Sequence, residues 1–146
     1  MRVILQSVIP IVILAGIAGA ATFRAIYAAE PPAVDEVLST KKVMDKVGLG
    51  KQSLLSVINR DLKKAEPDWK SDEEKLTETI RLMSMLTKQK PPRGSQDAWD
   101  KLVQDYVAGV KAARQNVREH RSQPALAALD KARSACEECH DNHGIK

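Results

Sequence analysis

Aromatic residues are nearly missing from this chain: two Trp, two Tyr and one Phe make 3% of its 146 residues. A core with so few rings is filled by Leu and Val, or a buried group supplies part of the apolar volume. No stretch alternates apolar and polar residues at the two-residue period of a half-buried strand, which removes the sheet-based fold classes. No internal repeat and no low-complexity segment follows the first 28 residues. Cysteine is limited to Cys136 and Cys139, and both fall in one short motif. No nucleophile with a nearby base and no substrate-binding pattern stands out, so the chain does not read as an enzyme.

One long apolar run is present. Residues 3–23 are broken only by Gln6, Ser7, Pro10 and Thr22, and Arg2 precedes them. That pattern reads as an export signal, with small residues at Ala18-Gly19-Ala20 and a second site ending at Ala28. The run is also long enough, at roughly 20 residues, to stay uncut as a membrane anchor. Residues 1–28 are therefore expected to be a signal peptide or an N-terminal anchor, and residues 29–146 one domain outside the cytoplasm, periplasmic or otherwise exported. The formal charge of +4 falls to +2 once Arg2 and Arg24 are set aside with that segment. Basic and acidic residues are interspersed along the rest, so no nucleic-acid partner is expected.

Beyond Pro31-Pro32 the apolar residues keep a helical period. Val43, Met44, Val47, Leu54, Leu55, Ile58 and Leu62 fall on one stripe and predict a single first helix, with an earlier turn around Val34, Val37 and Leu38. After a polar break with Pro67, Ser71-Asp72-Glu73-Glu74 has capping-box spacing and is expected to open a second helix with Leu76, Ile80, Met83 and Leu86 or Thr87 inside. Pro91-Pro92-Arg93-Gly94 ends it. Ser95 or Asp97 caps a third helix whose inner stripe is Trp99, Leu102, Val103, Tyr106, Val110, Ala113 and Val117. Ser122, with Pro124 in the first turn, starts the last helix, which carries Leu126, Leu129, Ala132, Cys136 and Cys139. The expected fold is all-α, an antiparallel four-helix bundle.

Near the end of that last helix stands Cys136-Glu137-Glu138-Cys139-His140. Two thiols about one helical turn apart can reach the two vinyl groups of a haem, and the adjacent imidazole can reach its iron. Rival chemistries compete for the same residues. A thioredoxin-type dithiol wants its motif at the start of a helix after a strand, and a disulfide across so short a loop stabilises little. Zinc could draw on Cys136, Cys139, His140 and His143, although adjacent Cys139 and His140 converge poorly on one tetrahedral ion. Covalent haem c, one per chain, fits export, spacing and helical position together.

With a signal, four helices and C-x-x-C-H near the end of the last one, residues 34–143 resemble the cytochrome c prime superfamily, including its low-spin, methionine-ligated members. A second stretch, Lys42-Val43-Met44-Asp45-Lys46, is similar to the segment carrying the distal methionine in those relatives. The resemblance implies that Cys136 and Cys139 form the thioethers, that His140 is the proximal iron ligand and that Met44 is the distal one. It implies a carrier of single electrons between periplasmic redox proteins, or a five-coordinate module binding nitric oxide or carbon monoxide if Met44 stays away from the iron. A homodimer is compatible with it. Many members follow the motif with an aromatic and an arginine, whereas this chain continues Asp141-Asn142-His143-Gly144.

Other residues have plainer readings. Gly48 and Gly50 would let a flat ring approach the first helix, or break it. Met83 is expected in the core and Met85 on the surface. His120 is expected in the last turn of the third helix, where a partly positive ring suits the carbonyl end. His143 is expected to be exposed in a terminal tail. Trp69, Trp99 and Tyr106 read as core or haem-packing residues.

Overall fold

The computed structural model describes residues 38–48 and 50–145. The first 28 residues, and with them the expected signal or anchor, lie outside that range, as do Val34 and Val37. Among the described residues the fold is all-α, with no strand and no helix long and apolar enough to cross a membrane.

The expected first helix is two. α1 spans Thr40–Val47 and α2 spans Leu54–Asp61. The apolar stripe runs on across the gap, which is why its period gives no hint of a break. Local chemistry makes the break: Gly48 ends α1 by donating its amide to the Met44 carbonyl, and Gly50 takes φ +83°, a region costly for other residues. Ser53 then caps α2 by accepting the Ser56 amide. Val43, Val47, Ile58 and Leu62 still share one core.

α3 covers Trp69–Ser84 and continues as a 3-10 turn, Met85–Lys88. Its cap is Asp68, whose side chain accepts the Ser71 amide at 3.1 Å, so the helix starts two residues before the capping box expected at Ser71. The inner residues Leu76, Met83 and Leu86 are buried as the period requires. Met85 is buried too, against the surface position expected of it, because it follows the buried Leu82 by one turn and adjoins the buried Leu86.

α4 spans Gln96–Arg118, capped by the Ser95 hydroxyl, and every residue of its expected stripe is buried. α5 spans Ser122–His143 and makes the most extensive inter-helix contact of the molecule with α4. Gly109 makes that contact close: a Cβ at this position would stand 2.8 Å from Ala132 Cβ. α3 packs on the other side of α4, and α1 and α2 pack on α3. His120 lies just beyond α4 rather than in its last turn, at φ +55°, where its ring stacks on Trp69 with centroids 4.9 Å apart.

α5 ends at Gly144, whose left-handed φ of +64° turns the chain back. The amides of Gly144 and Ile145 both reach the His140 carbonyl, the 6→1 closure of a Schellman motif for Ile145. The last turn of the helix is thereby locked.

Candidate functional site

A narrow apolar crevice, closed down to about 20 Å³, lies between α1, the end of α3, α4 and the end of α5. α5 gives it Cys136, Cys139 and His140. Met44 of α1 reaches the same space, joined by Met83, Leu86, Leu102, Val103 and Tyr106. All four residues singled out by the motif and by the resemblance therefore line one recess.

Helix geometry explains the grouping on α5. Residues three and four apart share a face, so Cys136, Cys139 and His140 present their side chains on one stripe while Glu137 and Glu138 point to solvent. Met44 is half-buried on the inner side of α1, between the core residues Val43 and Val47. Gly48 is exposed and does not line the recess; its role is to end α1.

The electrostatics of the crevice follow from its dryness. Burial pushes the Cys136 thiol up to about 11, with a further push from neighbouring Cys139, and burial raises Cys139 as well. Both sulfurs are thus neutral thiols near pH 7. Burial and the closeness of Cys136 hold the Tyr106 phenol well above its ordinary range. Its hydroxyl is buried without a hydrogen-bond partner among the described residues, an unmet polar group on the wall of an otherwise apolar recess.

Two histidines of the sequence lie elsewhere. His120 stacks on Trp69 beside Pro67, Asp68 and Arg118. His143, expected to be exposed, is only 1% accessible. α5 runs through Asp141-Asn142 without an apolar residue to announce it, and carries His143 edge-on to Trp99 at 5.1 Å. Its Nδ1 donates to the Arg93 carbonyl, and its Nε2 is buried without a partner among the described residues. With His143 turned that way, the four-ligand zinc set does not assemble. Among the described residues no three His, Cys, Asp or Glu side chains are grouped to hold a metal ion.

One further residue has no signature in the sequence. Gln89, just after the 3-10 turn, accepts from the Thr40 hydroxyl and donates to the Leu38 carbonyl, holding the start of α1.

The donor set suits a covalently held haem: two thiols on one helix face, an adjacent imidazole, a thioether from another helix and an apolar lining. No family model, no curated protein and no solved structure matches the chain.

Proposed function

We propose that the protein is an exported monohaem c-type cytochrome that carries single electrons, folded as an antiparallel four-helix bundle of the cytochrome c prime kind. In that bundle α1 and α2 count as two halves of the first helix. The observation that carries the proposal is the meeting of Met44 with Cys136, Cys139 and His140 at one apolar crevice, from opposite ends of the described chain.

Cys136 and Cys139 would hold the haem by thioether bonds, His140 would be its proximal ligand and Met44 its distal one. When bound, the haem supplies the one-electron couple. The protein does the rest. Leu86, Leu102 and Val103 keep water from the crevice, and a low local dielectric together with a thioether ligand favours the reduced, less charged state and raises the potential. The locked turn around the His140 carbonyl restricts movement of that residue, so little reorganisation accompanies each electron. The partners would be periplasmic redox proteins.

The test is the absorption spectrum of the full chain expressed with haem-attachment machinery, with a pyridine haemochrome assay. A c-type haemochrome and a low-spin spectrum are expected, with low-spin character lost in Met44→Ala. A high-spin spectrum indifferent to Met44→Ala would sink the electron-carrier reading in favour of a five-coordinate, gas-binding haem. No c-type haemochrome at all would sink both.

A further inference from the structure

The loop between the 3-10 turn and α4 touches both ends of the described chain. At its start the Gln89 side chain bridges to Thr40 and to the Leu38 carbonyl, the entry of the helix that carries Met44. A few residues later the Arg93 carbonyl accepts from His143 Nδ1, on the helix that carries His140. Gly94 lies against the same ring: a Cβ there would stand 3.0 Å from Nδ1, and its φ of +79° favours glycine. The Arg93 side chain covers Gly144, where a Cβ would meet Arg93 Cδ at 3.1 Å.

The loop itself is anchored. Gln96 donates to the Gln89 carbonyl at 3.2 Å, and Trp99, fully buried, donates its indole N–H to the Leu86 carbonyl at 2.8 Å. Trp99 also supplies the aromatic wall on which His143 rests. One rigid corner of the fold therefore grips two elements that touch each other little.

We propose that residues 89–95 form a clip that sets the two faces of the crevice against each other, with Gln89 positioning Met44 and His143 positioning His140. Neither residue lines the crevice; each acts through the helix it holds. The idea rests on the proposed function for its chemical meaning, since the clip would set the spacing of the two residues that would hold the iron, Met44 and His140. His143 is suited to the task because donation to a carbonyl fixes its Nδ1–H tautomer and ring plane. A side chain of this kind, one turn beyond the proposed proximal ligand, transmits loop position directly to that ligand's turn of helix.

The experiment compares wild type, Gln89→Ala and His143→Phe in the full chain, with and without haem. Amide hydrogen exchange is expected to quicken roughly tenfold in α1 for Gln89→Ala and in the last turn of α5 for His143→Phe, with α4 unchanged in both. In haem-loaded protein both variants keep the pyridine haemochrome, while Gln89→Ala gains high-spin character and His143→Phe shifts the reduction potential. Exchange in α1 unaltered by Gln89→Ala, or a spectrum and potential unmoved in both variants, would overturn the clip. A chain that takes up no covalent haem would defeat the proposed function instead, and the exchange rates alone would then decide the clip. Should His143→Phe fail to fold, the half-buried Gln89 still carries the test.

Discussion

At the scale of single residues, the crevice thiols are the most informative. Their neutrality means that the closed fold hides them chemically as well as sterically. In chain purified without haem, alkylation of Cys136 at pH 7 is expected to be about a hundredfold slower in buffer than in urea, the ratio set by a shift from the ordinary value of 9.0 to about 11. Equal rates in the two solvents would count against the buried placement. The pentapeptide that carries these thiols is legible in the sequence because its chemistry is local. Met44 is not: its place on an apolar stripe suits core packing equally well, and only its likeness to a known segment marks it. The burial of His143 leaves no mark in the sequence, because nothing apolar lies between it and His140 to show that the helix continues.

At the scale of elements, α4 and α5 illustrate how much a stripe can tell. The α4 pattern predicts its buried face residue by residue, since six large or medium apolar side chains and Ala113 at helical spacing leave only one way to roll the helix. The approach distance is another matter, because it is set by Gly109 against Ala132. Gly109→Leu is expected to cost about 1–3 kcal/mol through overpacking and to lower the melting temperature. A melting curve identical to wild type would mean that α4 and α5 are not held this closely. The break between α1 and α2 escapes a periodic reading for the opposite reason: the stripe keeps its phase across the gap, and only a glycine with positive φ and a serine cap reveal it.

At the scale of the whole molecule, stability should depend on pH through a buried carboxyl far from the motif. Asp72 is fully buried, neither oxygen has a hydrogen-bond partner among the described residues, and Lys75 Nζ stands 3.7 Å away. Burial, reinforced by the neighbouring Asp61 carboxylate, pushes it from 3.8 up to about 7. Between those values the folded state holds a proton that the unfolded chain releases. Asp72's contribution is therefore fully present below about pH 4 and is lost as pH rises through about 7. Asp72→Asn is expected to flatten that slope and to stabilise the protein by about 1–3 kcal/mol at pH 8, measured by urea denaturation. An unchanged slope would remove Asp72 as its source. Nothing in the sequence singles Asp72 out, since a carboxylate in the first turn of a helix ordinarily faces water. The tie between Gln89 and α1 is hidden likewise, its partners lying too far apart along the chain to leave a pattern.

The slender attachment of α1 also has a meaning in time. α4 and α5 are neighbours in sequence and meet over most of their length, whereas α1 depends on distant bonds to Gln89 and on modest contact with α2 and α3. Local contacts form early and non-local ones late. In refolding experiments the helical signal is then expected to appear before Cys136 becomes protected from a thiol reagent, and simultaneous arrival of the two would refute that order. The lag is an interval in which a largely assembled chain still presents its sulfurs, and a slower α1 would lengthen it.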